Sequence, residues 1–204
     1  MARVIAGSQV ETMMGGTAGL IEALDTRSFS SLWYWLMLTV TWTWVSRGAL
    51  GIPPELVRSL HRRGTEAAKA GDPTALRLLD WVSLVAPRWQ LMRDDGAVLL
   101  GVASFVLSML AGLGFLYGLE LAQALLLLVG PLMLLGWLRI RLAARLRATL
   151  AEAEGGRLSV DEAASRIARR ITAHLRATLA LSAFAVATAA IWGTIWLALH
   201  PNGL

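Results

Sequence analysis

Hydrophobic positions along this chain fall into four long blocks separated by charged stretches. The first block runs from about Phe29 to Val45, with a possible extension to Leu50. Residues 96–138 carry a single formal charge, Glu120. One helix of that length would be about 65 Å long, twice a bilayer. Two spans joined by a turn at Tyr117-Gly118-Leu119-Glu120 fit the pattern instead. The last block runs from about Leu175 to Leu199 and ends at His200-Pro201. Blocks this long and this free of charge predict helices that cross a membrane.

The intervening stretches have their own periodicity. Pro53-Pro54 breaks the first helix. Within residues 51–95, Leu76, Leu79, Val82 and Val85 recur every three positions, with Trp81 and Trp89 nearby and Pro87 interrupting. This predicts an amphipathic helix lying on a membrane surface, with a docking surface for a partner as the alternative. Leu138, Leu142, Leu146 and Leu150 are spaced by four and interleaved with Arg139, Arg141, Arg145 and Arg147. Glu154-Gly155-Gly156 ends that helix. Ser159-Val160-Asp161-Glu162 then matches a capping box, which ties up free N–H groups at a helix start. Val160, Ala164, Ile167, Ile171 and Leu175 supply a facing apolar stripe, which predicts an antiparallel hairpin over 139–174. Residues 1–28 are polar and Gly-containing, with a short amphipathic piece at Leu20, Ile21 and Leu24 that predicts a lead-in on the membrane surface. No secretory signal is expected there, because no apolar core of the needed length precedes Ser28.

The expected architecture is therefore all-α: an integral membrane helical protein of about four transmembrane helices with a cytoplasmic helical hairpin extension. Its segments are a lead-in (1–28), a first span (29–50), a loop with an amphipathic helix (51–95), two spans (96–138), the basic hairpin (139–174), the fourth span (175–199) and a tail (200–204). Charge adds orientation. Eight Arg or Lys lie between spans one and two and nine between spans three and four, against two before the first span and none elsewhere. The positive-inside rule then places both basic loops in the cytoplasm and both termini outside.

Composition narrows the chemistry. Of the 204 residues, 56% are hydrophobic and 16% charged, too apolar for a wetted globular surface. There is no Cys, which excludes thiolate metal sites and thiol catalysis on this chain. His61, His174 and His200 are spread over loop and opposite span ends, so no pair is expected to ligate a haem or a chlorophyll. Asp94-Asp95 and Glu152/Glu154 lie near helix ends without further ligands nearby. No phosphate-binding Gly loop, nucleophile elbow or paired-carboxylate pattern occurs. Neither a cofactor nor a catalytic residue is expected.

What remains are packing and contact residues. Trp33, Trp35, Trp42 and Trp44 crowd the first span, and the two clusters are only about 13 Å apart at helical rise. That is too close for both to sit at opposite interfaces of a ~30 Å core, so one is expected to pack against a helix, a lipid or a partner. Trp35 and Trp42 share a face; Thr39 and Thr43 lie on another and can bond their own helix carbonyls. Ser104, Ser108 and Gly112 form a small-residue stripe, as do Ala185, Ala189 and Gly193, and such stripes let helix backbones approach in lipid. Arg62-Arg63 and Arg166, Arg169 and Arg170 are candidates for anionic phospholipid headgroups or an acidic partner surface. Nucleic acid is not an expected partner, since topology already accounts for these short clusters.

Three stretches carry a family resemblance. Leu24-Asp25-Thr26-Arg27-Ser28-Phe29-Ser30-Ser31-Leu32-Trp33-Tyr34-Trp35, then Leu50-Gly51-Ile52-Pro53, then Phe115-Leu116-Tyr117-Gly118-Leu119-Glu120-Leu121-Ala122-Gln123-Ala124 resemble small multi-pass membrane proteins of Rhodobacter-type alphaproteobacteria. Members often carry the label "component of SufBCD complex". The likeness covers about residues 20–140 and implies a bacterial inner-membrane location; the missing Cys removes any direct role as a cluster ligand. The expected function is a non-catalytic accessory or assembly subunit bound to other integral membrane subunits, with respiratory or photosynthetic electron-transfer assemblies as the expected hosts. The rival expectation is a small homo-oligomeric channel or transporter lined by Thr39, Thr41, Thr43, Ser104 and Ser108. A lipid-modifying enzyme ranks behind both for want of a nucleophile or a base.

Overall fold

A computed structural model describes residues 28–63, 73–90 and 92–200. The expected lead-in over 1–27 and the tail after His200 lie outside the described residues. Among these residues six α-helices follow one another: α1 (Leu32–Val45), α2 (Pro54–Arg63), α3 (Pro73–Val85), α4 (Arg93–Ala111), α5 (Glu120–Glu154) and α6 (Val160–Leu199). A 3-10 turn (Ala86–Trp89) follows α3, and a π-helical turn (Gly112–Leu116) follows α4. The protein is all-helical among the described residues.

Among the described residues, three helical stretches are long and apolar enough to cross a membrane: Asp94–Leu116, Glu120–Glu154 and Val160–Leu199. The expected first span is shorter than its apolar block. α1 has 14 residues, about 21 Å, against a hydrocarbon core of ~30 Å. A turn from Ser28 to Ser31 opens it, with Ser31 N–H donating to the Ser28 carbonyl at 3.2 Å. Its end is equally local. Leu50 (φ 57) and Gly51 (φ 80) turn the chain back on itself, and Pro54 then opens α2, where its missing N–H costs nothing.

The long helices α5 and α6 run antiparallel. Glu152 meets Arg166, the Arg145 carbonyl meets Arg170, and Gln123 meets Trp192, so partners advance along one helix as they retreat along the other. The connection is sharp because both caps are satisfied. Arg157 N–H donates to the Glu152 carbonyl at 2.9 Å and Gly156 N–H to the Ala153 carbonyl at 3.0 Å. With Gly156 at φ 71 this is a Schellman closure. On the other side the Ser159 hydroxyl accepts from Glu162 N–H at 3.3 Å while the Glu162 carboxylate accepts from Ser159 N–H at 3.2 Å, the capping box that the sequence spells.

Two cores divide the helices by length. In the apolar half, Leu38 and Trp42 of α1 pack against Leu135 of α5 and Ala185 and Ala189 of α6. In the basic half, Leu142, Ala143 and Leu146 of α5 meet Ala164, Ile167, Ala168 and Ile171 of α6. That second core also contains Val57 of α2 and Ala75, Leu78 and Val82 of α3. This corrects the surface-helix expectation. The apolar face of α3 is Ala75, Leu78 and Val82, while Leu76 points outward, and the hairpin covers that face. The hairpin does not stand free either: its two stripes leave a flank that α2 and α3 fill, and burying Leu78 and Val82 there removes them from water as effectively as lipid would.

Candidate functional site

α1 is too short to be held by length, and side chains from other helices hold both its ends. At the Ser28 end, Phe29 is buried and its N–H donates to the Glu120 carboxylate. The Trp35 indole N–H donates to the Phe29 carbonyl at 3.0 Å, and the Tyr34 hydroxyl reaches the Ala124 carbonyl at 3.5 Å. Phe29, Tyr34 and Trp35 stack edge to face in succession, with centroids 5.5 and 5.3 Å apart, a geometry that ring quadrupoles favour. The expected turn at Tyr117-Gly118-Leu119-Glu120 is thus also an anchor for the approach to α1.

Beneath this anchor lies a polar clasp. Gln123 is buried in α5 and donates from Nε2 to the Gly114 carbonyl at 2.7 Å, while its Oε1 accepts from the Trp192 indole N–H at 2.9 Å. One amide therefore joins the π-helical turn, α5 and α6. Gly114 is required for the approach: a Cβ there would stand 2.9 Å from Gln123 Cγ and 3.0 Å from Gln123 N. Neither residue was singled out by sequence. The available signal was that Gln123 is the lone amide in an apolar run, and a polar side chain in such a run faces protein.

At its other end α1 meets the start of the basic half. Arg139 Nη2 donates to the Val45 carbonyl at 2.7 Å, satisfying one of the orphan carbonyls of the last helical turn. The same guanidinium lies 6.0 Å from the Trp89 ring centroid. Beside it an open cleft of about 490 Å³ is bounded by Trp42, Thr43, Ser46 and Arg47 of the α1 end and by Ser182, Ala183 and Val186 of α6. Trp42 is 4% exposed, and its indole N–H finds no acceptor among the described residues.

The predicted contact residues separate by what surrounds them. Trp35 and Trp42 do share a face, and both belong to the apolar-half core. Trp33 and Trp44 point the other way, 77% and 78% exposed, in line with exposed Leu36, Met37 and Val40. Thr39 bonds back to the Trp35 carbonyl at 2.8 Å. Ser104 and Ser108 are exposed, and Gly112 is half-buried where α4 gives way to the π-helical turn. Their stripe is not the face that α4 turns toward α5. The Ala185, Ala189 and Gly193 stripe is, by contrast, buried against α1 and Phe29; a Cβ on Gly193 would stand 3.0 Å from the Phe29 ring.

The basic clusters also divide. Arg62 and Arg63 end α2, and their side chains lie outside the described residues. Arg166 pairs with Glu152 at 3.1 Å, and both remain partly exposed. Arg170 donates to the Arg145 carbonyl at 2.5 Å and to the Thr149 hydroxyl, so it braces the hairpin instead of reaching outward. Arg169 is exposed. Among the described residues no group of three His, Asp or Glu side chains is placed to hold a metal ion. No protein-family model, no curated protein and no solved structure matches this chain.

Proposed function

We propose that this chain is a non-catalytic accessory or assembly subunit of a larger complex in a bacterial inner membrane. In this reading α4, α5 and α6 cross the bilayer and α1 sits beside them as a short fourth membrane helix. α2, α3 and the basic halves of α5 and α6 form a helical domain on the cytoplasmic side, as the distribution of Arg supports.

One observation carries the reading. The face of α1 turned away from this chain is a row of large apolar side chains from Trp33 through Leu36, Met37 and Val40 to Trp44. Trp33 and Trp44 are about 16 Å apart along the helix, too close to mark both interfaces of a bilayer. One of the two indoles therefore lies at hydrocarbon depth, where its N–H is best satisfied by another protein. α4 adds a second bare face, since Val98, Leu99, Val102, Phe105 and Met109 are all exposed. The contacts among charged groups are structural: Arg139 caps α1 and Arg170 braces the hairpin.

The test is a mild-detergent purification of the tagged chain from its native membrane, with mass spectrometry and a visible spectrum. Stoichiometric membrane subunits, whose capture is lost on Trp33→Ala with Trp44→Ala, are the expected result. A homo-oligomer with no other subunit would overturn the reading and favour a channel.

A further inference from the structure

The cleft at the inner end of α1 is graded from polar to apolar. One wall is the end of α1, with Thr43, Ser46 and Arg47; the other is Ala183 and Val186 of α6. The α1 wall is held beside the start of the basic half by Arg139, which donates to the Val45 carbonyl one residue before Ser46 and is the first charge on α5 after its apolar run. On α6 the last charge is Arg176, and Val186 lies about 15 Å further along the helix. The cleft therefore begins where the charged half of the molecule begins and descends into the apolar half.

Its donors are unspent. Arg47 is exposed and forms no ion pair among the described residues, and no acidic residue lines the cleft. The hydroxyls of Thr43 and Ser46 have no hydrogen-bond partner among those residues. Ser182 does donate, to the Leu179 carbonyl at 2.8 Å.

We infer that this cleft binds one anionic phospholipid. Its phosphodiester would accept from Arg47 and the Ser46 hydroxyl, and one acyl chain would descend along Ala183 and Val186. A single negative charge with several acceptor oxygens matches one guanidinium with neutral donors around it, and an alkyl chain matches the α6 wall. The inference rests on the membrane placement proposed above but not on the accessory role.

The experiment is native mass spectrometry of the purified full chain in mild detergent, titrated with phosphatidylglycerol or phosphatidylcholine of the same acyl chains. The wild type is expected to retain one phosphatidylglycerol in preference to phosphatidylcholine. Arg47→Gln, at an exposed side chain, should weaken phosphatidylglycerol retention roughly tenfold, the scale of one charge-assisted hydrogen bond. Val186→Trp should block the cleft for both lipids; should that variant not fold, Arg47→Gln carries the test alone. Equal retention of the two lipids by the wild type, or wild-type retention by Arg47→Gln, overturns the assignment. Because the chain is tested alone, a negative result here leaves the subunit reading standing, and an empty pull-down leaves a positive result here intact.

Discussion

Replacing Gln123 with Leu tests whether the buried clasp holds the apolar half together. Leu fills nearly the same space but makes no hydrogen bond. Two bonds disappear, Gln123 Nε2 to the Gly114 carbonyl at 2.7 Å and the Trp192 indole N–H to Gln123 Oε1 at 2.9 Å. The Trp192 donor and the Gly114 acceptor then stay buried without that partner. In water-soluble interiors an orphaned group costs about 1–3 kcal/mol. Between membrane helices measured polar pairs are weaker, averaging ~0.6 and reaching ~1.7 kcal/mol, because the unfolded chain in lipid also finds partners. The expected loss is therefore about 1–3 kcal/mol in total, with about 0.5–1.5 kcal/mol of it belonging to the Trp192 bond. Reversible unfolding in mixed micelles measures the first quantity. A double-mutant cycle of Gln123→Leu with Trp192→Phe measures the second, since Phe keeps most of the ring that stacks on Phe115 at 5.4 Å. An unchanged unfolding midpoint for Gln123→Leu together with zero coupling would refute the reasoning and reduce the clasp to an incidental contact.

Three further outcomes follow from the same geometry. Gly114→Ala places a Cβ 3.0 Å from the Gln123 backbone nitrogen, which cannot rotate away, so the same unfolding assay should register a loss of about 1–3 kcal/mol. Arg139→Gln uncovers the Val45 carbonyl and removes a charge-assisted bond; α1 should loosen at that end, read as faster amide exchange over residues 42–47 with α4 unaffected. Leu78→Ala opens a cavity where α3 meets the hairpin and should cost about 2–5 kcal/mol, seen as early proteolytic cleavage near α3 while the apolar half stays intact.

Much of the local structure was legible. The capping box at Ser159 and Glu162, the turn around Gly118 and the Leu142–Leu146 and Ile167–Ile171 stripes are short-range features, written in residues a few positions apart. Trp35 and Trp42 share a face by helical spacing alone, and so they do in the core. The contact sites were less legible. Arg166, Arg169 and Arg170 look alike as a basic cluster, yet one forms an ion pair, one is exposed and one braces the hairpin through Thr149 and Arg145. The difference depends on what α5 presents opposite each of them, which spacing along α6 does not contain. The same holds for the two small-residue stripes, of which only Ala185, Ala189 and Gly193 are covered by another helix of this chain.

The sequence by itself determined an all-helical chain with stretches able to cross a membrane, because uninterrupted apolar length and segregated charge are one-dimensional properties. It also determined the stop after Glu154 and the start at Ser159, since caps and glycines act on their immediate neighbours. Only the tertiary structure decided that α1 spans 14 residues and is pinned at its two ends by Glu120 and Arg139, each more than 90 positions from the backbone group it holds. It likewise decided that α3 covers the hairpin rather than lying bare, and that Gln123 closes on Gly114 and Trp192. An apolar face or a buried amide states only that it needs a partner; which partner it gets is set by the packing of helices distant in the chain.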